Sequence, residues 1–148
     1  CEAGINDAAQ SGVLGGYPVI DWKVTMLSAG WHESESSELA FENAARAAFY
    51  DAMKAGDPVL LEPIMDVEVV TSDDYFGSIM ADLNARKAVV RNTTLRGCDR
   101  LISADVPLSQ MFGYVTKLRS LSQGRATATM APSHYAPVSA ANMKSLVG

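Results

Sequence analysis

The feature that most restricts the fold of this chain is the order of strand and helix patterns between residues 60 and 130. In 65–69, apolar side chains alternate with Asp66 and Glu68, which is typical of a strand with one buried face. The later patterns are a helix at 73–86, strands at 88–95 and 101–106, a helix at 111–118 and a final strand at 126–130. This order, strand-helix-strand-strand-helix-strand, predicts the split βαβ arrangement of ferredoxin-like folds.

The second helical pattern in this region predicts part of the core. Met111, Phe112, Val115 and Leu118 recur near helical spacing, so we expect them to share a buried face. The two aromatic rings here, Phe112 and Tyr114, are expected to pack inside the protein. They would then not be free to stack on bases, so if this region binds a nucleic acid, we expect it to recognise the shape and backbone of that nucleic acid.

The first part of the chain has one strand pattern between two helical patterns. Residues 2–10 are typical of the end of a helix, and apolar and polar side chains alternate over 20–26 as in a half-buried strand. Because one strand and two helices cannot complete a sheet, we expect the chain to begin partway through a domain. We predict divisions at 1–59, 60–138 and 139–148, the last being a tail or short helix.

The second helix of this first part is expected to end at Gly56. Ser36 or Ser37 can cap its beginning, which leaves Trp31 and His32 on the loop before it. The helix carries an alanine-rich face that suggests close packing on a sheet: Phe41, Ala45, Ala48 and Ala52.

Charge is segregated along the chain. Residues 1–85 carry 3 Lys or Arg against 15 Asp or Glu, whereas residues 86–125 carry 8 against 2. A basic block inside a chain of net charge −5 favours a polyanion partner on one face, with an ordinary solvated surface as the alternative. The candidates for phosphate contacts are Arg86, Lys87, Arg91, Arg96, Arg100, Lys117, Arg119 and Arg125.

The sequence lacks the common signatures of enzymes, metal sites and membrane spans. Cys1 and Cys98 form neither a disulfide framework nor a metal-ligating spacing, and His32 and His134 lie in no nucleophile motif. Phosphate-binding loops do not occur, and no apolar run approaches the roughly 20 residues that cross a bilayer. We therefore expect no catalytic residue, metal or cofactor here, no membrane partner, and a location in the cytoplasm or an organelle matrix.

Several segments resemble one known family. VPLSQMFGYVTKLRSLSQGRATATM, at 106–130, closely resembles the last domain of translation elongation factor G. LLEPIMDVEVVT, at 60–71, and DDYFGSIMADLNAR, at 73–86, resemble the opening strand and first helix of that domain. SGVLGGYPVIDWKVTM, at 11–26, and GWHESESSELAF, at 30–41, resemble the latter half of the preceding domain. The likeness covers nearly all of the chain.

The resemblance implies an α+β fragment in two parts. Residues 1–59 would be the latter half of a projecting domain, an incomplete unit similar to ribosomal protein S5, and residues 60–138 a ferredoxin-like domain. The family comprises ribosome-dependent GTPases that drive translocation of transfer RNA and messenger RNA. GTP and Mg would be bound by a G domain outside this chain, so the fragment itself would not be an enzyme.

By the same resemblance, the partners are the ribosome and its RNAs. Trp31 and His32 would reach the small-subunit decoding region, where A-site transfer RNA meets messenger RNA. An imidazole suits that place because it can donate or accept hydrogen bonds and can stack. The ferredoxin-like part would meet large-subunit ribosomal RNA near the sarcin-ricin loop and the uL11 stalk base. The expected contacts there are Arg86, Lys87, Arg91, Arg119 and Arg125.

Some alternatives stay open at this point. Gln110 replaces the usual acid of the family, Ala126 a frequent glycine, and no glycine follows Arg86-Lys87, so the parent could be the main translocase or a ribosome recycling paralogue. Other classes are a stand-alone ferredoxin-like RNA-binding module and a small enzyme with a concave pocket. For the loop, the alternative is that Trp31 covers the edge of the core.

Overall fold

The structure, a computed structural model, describes residues 1–139 and Met143. It divides into two units: unit 1 includes Cys1–Leu60, and unit 2 is Leu61–Val138. The predicted tail or short helix at 139–148 lies, but for two residues, outside the described part of the chain. Among the helices that the structure describes, none is long and apolar enough to cross a membrane.

Unit 2 has the predicted ferredoxin-like arrangement. In chain order the elements of both units are α1 (Glu2–Ser11), α2 (Glu38–Ala55), β1 (Leu61–Ser72), α3 (Asp73–Ala85), β2 (Val89–Arg96), β3 (Asp99–Pro107), α4 (Tyr114–Leu121) and β4 (Thr127–Pro137). The sheet has the strand order β2-β3-β1-β4, and every neighbouring pair is antiparallel. This order places β3 and β1 inside the sheet, each with a neighbouring strand on both sides.

The alternation in β1 separates a core face of the sheet from an open face. Val67 lies opposite Ala104 of β3, and Val69 lies opposite Ile102. All four residues are fully buried, in one cluster with side chains of α3 and α4. The residues between them lie on the other face because successive side chains of a strand point to opposite sides.

Helix α4 buries a different face from the one predicted. Met111, Tyr114 and Leu118 are buried, whereas Phe112 is 79% exposed and Val115 is 42% exposed. The prediction that Phe112 and Val115 pack inside is therefore wrong, and the prediction for Tyr114 is confirmed. Tyr114 and Leu118 are four residues apart on the core side of α4, which turns Val115 outward. Met111 and Phe112 precede the helix, in a turn that passes through the left-handed backbone of Gly113.

Helices α1 and α2 pack against each other in unit 1. Ala8, Ala9 and Phe49 form their buried cluster. Gly4 lies so close to α2 that a Cβ at this position would overlap the carbonyl oxygen of Glu42. Small residues in α1 therefore allow the two helices to approach closely.

The beginning of α2 follows the prediction, but its packing does not. The Ser37 hydroxyl accepts a hydrogen bond from the Ala40 N–H at 3.1 Å, so Ser37 is the N-cap. Ala48 and Ala52, from the predicted packing face, are exposed, and the buried side chain is Phe49. The prediction of an alanine face packed on a sheet is wrong because α2 instead packs on α1.

The predicted strand at 20–26 is absent. The segment has no strand hydrogen bonding, and Asp21 has a left-handed backbone with φ of 57°. Ile20 is 53% exposed, and Val24 and Met26 are exposed as well. The physical reason is the lack of a neighbour: within the described residues unit 1 contains no strand with which this segment could pair.

Candidate nucleic-acid interface

The loop before α2 holds His32 in a closed turn. The His32 N–H donates to the Ser36 hydroxyl at 2.7 Å, and the Ser36 N–H donates to the His32 carbonyl at 3.0 Å. The Ser34 hydroxyl lies 3.1 Å from Nδ1 of the His32 ring, at hydrogen-bonding distance. The ring is exposed, and Ser34 occupies Nδ1, so Nε2 is the nitrogen that can contact a ligand.

Trp31 offers an exposed ring beside His32. It is 69% exposed, so it does not cover the core of unit 1. Leu27 and Met26, shortly before it, are also exposed. The segment that leads to the loop is therefore unusually apolar for an exposed surface.

An open cleft of about 1300 Å³ lies within unit 1, between the two helices and residues 22–32. Its walls are largely apolar and include Trp22, Val24, Ala45, Ala48, Phe49 and Ala52. Polar side chains also line the cleft, including Glu2, His32 and Glu35. An enzyme pocket needs such groups to converge on one point, and none of the hydrogen bonds among the described residues joins these three side chains to one another. Among the described residues, no group of three or more His, Cys, Asp or Glu could hold a metal ion.

Arg86 has internal partners. Its Nε donates to Asp82 at 2.9 Å, and its Nη1 donates to the carbonyl of Gln110 and, at 3.4 Å, to that of Phe112. The guanidinium carbon also lies 5.1 Å from the ring centre of Tyr114, and the side chain is only 17% exposed. Arg86 thus connects α3 to the loop before α4, and these contacts leave it poorly placed to hold phosphate.

Tyr114, whose ring lies beneath the Arg86 guanidinium, is almost fully buried. Burial first, and then the charge of Asp82, raise the pKa of the Tyr114 hydroxyl to about 12, while the charge of Arg86 lowers it. Among the described residues, the hydroxyl has no hydrogen-bond partner. Tyr114 is therefore neutral at physiological pH and acts as an anchor for α4.

Arg91 also has acidic neighbours. It forms an ion pair with Asp66 of β1 and a second, at 3.4 Å, with Asp105 of β3. Arg100, a candidate of the basic block, pairs with Asp73 and lies over the ring of Phe76 at 4.5 Å. These carboxylates offset much of the positive charge that the sequence places on the two arginines.

The exposed cations of the α4 region lie in a stretch of the sequence that contains no acid. From residue 106 onward the sequence contains no Asp or Glu, whereas Lys117, Arg119 and Arg125 all fall in this stretch. The three side chains are exposed, and in the described part of the chain none forms an ion pair. Lys87, in the turn after α3, is exposed and has a left-handed backbone with φ of 60°. The strongest positive potential of unit 2 is therefore expected around α4 and the turn after it.

The open face of the sheet is unsuited to RNA. Asp66 and Glu68 of β1 and Asp105 of β3 lie on it, and the sequences of β1, β2 and β3 contain no Phe, Tyr or Trp. RNA-binding modules of this fold stack bases on sheet aromatics, and acids repel phosphate. The arrangement disfavours the stand-alone RNA-binding module.

Sequence reasoning missed one exposed aromatic side chain. Phe112 lies two residues before the start of α4, in the stretch of sequence that lacks acids, and it is 79% exposed. The sequence signal was Gly113, because a glycine directly after Phe112 permits a left-handed turn there and allows the helix to begin only at Tyr114.

The chain matches two family profiles side by side. "Elongation factor G, domain IV" matches residues 1–57, and "Elongation factor G C-terminus" matches residues 59–146. A curated elongation factor G of Fervidobacterium nodosum is 58% identical over 93% of this chain and 20% of its own length. One of Rhodopseudomonas palustris is 53% identical over 91% of this chain and 20% of its own. The chain thus spans about a fifth of the length of these relatives.

A solved structure is also similar. A crystal structure of a protein from Thermus thermophilus matches with a TM-score of 0.84 and 36% sequence identity. The match covers 99% of this chain and 22% of that protein. The similarity therefore extends over both units of the chain.

Proposed function

The chain belongs to the elongation factor G family, and from that premise we propose that it is the carboxy-terminal part of a ribosome-dependent GTPase that promotes translocation of transfer RNA and messenger RNA. The observation that carries the proposal is the match of two consecutive domains of that family, in order, across the chain. In this proposal, GTP and Mg are bound by a G domain elsewhere in the parent protein. The residues described here make and break no bond, and the parent works in the cytoplasm.

Unit 1 supplies the contact with the decoding region of the small subunit. His32 lies on a turn closed by two hydrogen bonds to Ser36, so its ring is exposed on a defined backbone. Trp31 adds an exposed ring for stacking, and stacking of one base on an aromatic side chain is worth about 1–3 kcal/mol. In the proposal, His32 and Trp31 meet A-site transfer RNA and messenger RNA.

Unit 2 supplies the contact with ribosomal RNA of the large subunit, near the sarcin-ricin loop and the uL11 stalk base. Arg119 and Arg125 are the first candidates because they are exposed and lie in the stretch without acids. Lys87 is retained as a candidate. Arg86 and Arg91 are less suitable, since both are engaged with carboxylates of unit 2.

The test is His32→Ala in a full-length factor that carries this chain. We expect single-turnover translocation to slow by about tenfold or more, while ribosome-stimulated GTP hydrolysis stays near the unmodified rate. Loss of one well-placed contact of about 1.4 kcal/mol corresponds to a factor of ten. Rapid-kinetic measurements of messenger RNA movement and of phosphate release give the two rates separately.

Glu33→Ala, in the same exposed turn, is the matched control and should change neither rate by more than about twofold. Equal loss of translocation and GTP hydrolysis in His32→Ala would contradict the assigned role, because it would point to impaired ribosome binding. An unchanged translocation rate would remove His32 from the site.

A further inference from the structure

Phe112 is held outward between two buried neighbours. Met111 and Tyr114 are both buried, yet Phe112 is 79% exposed. The Tyr114 N–H donates to the Met111 carbonyl at 3.0 Å, which closes a turn around positions 112 and 113. Gly113 has a left-handed backbone with φ of 71°, which a glycine adopts without strain. The turn therefore fixes a large apolar side chain in solvent.

Arg86 further restrains this loop. Its Nη1 donates to the carbonyls of Gln110 and Phe112, and its Nε donates to the carboxylate of Asp82 in α3. Phe112 is thus attached to the body of unit 2 through its own carbonyl. A ring on a restrained backbone loses less conformational entropy on binding than a ring on a mobile loop.

The charges in the sequence around Phe112 favour an anionic partner. No acid follows Asp105 in the sequence, and Arg119 and Arg125 lie in α4 and in the turn after it. Val115, half exposed, and Arg119 are four residues apart, so they lie on the same side of α4. From Tyr114, the first residue of α4, to Arg119 the helix rises by about 7.5 Å. One bound RNA strand is long enough to reach from Arg119 to the turn before α4 that holds Phe112.

We propose that Phe112 stacks on an unpaired base of the ribosomal RNA whose phosphates Arg119 and Arg125 hold. The inference rests on the proposed function, because it identifies a base contact within the same RNA interface. An exposed aromatic ring beside phosphate-binding cations is the usual arrangement for proteins that hold single-stranded or looped RNA. Such stacking accepts any base, since every base presents a π face.

The experiment measures equilibrium binding of the full-length factor to vacant ribosomes, with four substitutions at one position. Phe112→Ala and Phe112→Leu should raise the dissociation constant by about 5-fold to 100-fold, while Phe112→Tyr and Phe112→Trp should stay within about 3-fold of the unmodified protein. Leu keeps an apolar side chain without a π face. Because position 112 is exposed, none of the four should alter the thermal unfolding temperature.

The outcomes separate this inference from the proposed function. Arg119→Gln combined with Arg125→Gln should weaken binding and reduce the slope of its salt dependence by about 0.7–0.9 for each phosphate that the variant no longer binds. If the arginine double variant binds ribosomes more weakly and with a smaller salt dependence, but Phe112→Ala binds them as tightly as the unmodified factor, the stacking inference is overturned and the RNA interface stands. If neither variant changes binding, the RNA interface of unit 2 is overturned together with the inference.

A cross-linking measurement decides between RNA and protein as the partner of position 112. A benzophenone amino acid placed there should cross-link to ribosomal RNA on irradiation of the complex. Cross-links to a ribosomal protein alone, with Phe112→Leu binding as well as the unmodified factor, would overturn the inference in favour of an apolar protein contact.

Discussion

Two segments of this chain carry the same alternating pattern and have opposite outcomes. Residues 20–26 of unit 1 and 65–69 of unit 2 both alternate apolar and polar side chains. The second segment pairs with β3 on one side and β4 on the other, whereas the first has no strand hydrogen bonding. Alternation therefore tells which side chains can share a face, and a neighbouring strand decides whether a sheet forms.

The same contrast extends to burial. Val67 and Val69 of β1 are fully buried, but Val24 and Met26 of the unpaired segment are exposed. Burial of apolar side chains is the main favourable term in folding. We therefore expect that unit 2 is the more stable unit of this chain, and that apolar substitutions affect the two units very differently.

The largest effect is expected from Leu118→Ala in unit 2. Leu118 is 1% exposed, so its truncation should lower the free energy of unfolding of unit 2 by about 2–5 kcal/mol. Val24→Ala, at an exposed position, should change the free energy of unfolding by about 0.5 kcal/mol or less. Native-state hydrogen exchange of the β1 amides measures the free energy of unfolding of unit 2.

The tryptophans provide a separate signal for unit 1. Trp22 and Trp31 are the two tryptophans of the chain, and both lie in that unit. Their fluorescence during urea unfolding should be unchanged by Leu118→Ala. If Val24→Ala lowered the free energy of unfolding of unit 1 as much as Leu118→Ala lowers that of unit 2, residues 20–26 would be packed more firmly than the exposure of Val24 indicates.

The spacing of residues in the sequence predicted the order of the elements in unit 2 and the limits of two helices in unit 1. The ferredoxin-like order, the end of α1 near residue 11 and the cap of α2 all depend on residues close together in the sequence. The buried positions around α4 were missed because the helix begins only at Tyr114, after the left-handed backbone of Gly113. Helical spacing therefore does not apply to Met111 and Phe112.

The candidate site was less predictable from sequence, because charge alone does not reveal partners. Arg86 binds carbonyls 24 and 26 residues later in the chain, and Arg91 meets Asp66 across the sheet. No local pattern contains such contacts. Arg119 and Arg125 could be recognised by composition, since the stretch around them lacks acids.

A smaller effect should distinguish the glycines in the helices of the two units. A Cβ at Gly4 of α1 would overlap the Glu42 carbonyl oxygen, whereas a Cβ at Gly77 of α3 would meet no atom within 4 Å. Gly4→Ala should therefore lower the free energy of unfolding of unit 1 by about 1–3 kcal/mol, and Gly77→Ala should raise that of unit 2 by about 0.5–1 kcal/mol. Tryptophan fluorescence and β1 hydrogen exchange measure the two effects. A stabilised Gly4→Ala would show that α1 and α2 do not pack as closely as described.

The smallest effect concerns the serines that precede α2 and α3. Ser37 accepts a hydrogen bond from the Ala40 N–H, whereas Ser72 has the capping position of α3 without a side-chain capping bond. Ser37→Ala should lower the free energy of unfolding of unit 1 by about 1 kcal/mol, as is usual when a capping bond is removed. Ser72→Ala should lower the free energy of unfolding of unit 2 by less than about 0.5 kcal/mol, because no capping bond is lost. Asp73 and Asp74, in the first turn of α3, also keep their favourable interaction with the positive end of the helix dipole. The two variants are compared by urea titration, with fluorescence for unit 1 and hydrogen exchange for unit 2. Equal losses would mean that Ser72 caps α3 in solution, and that the two helix starts, which look alike in sequence, are alike in energy as well.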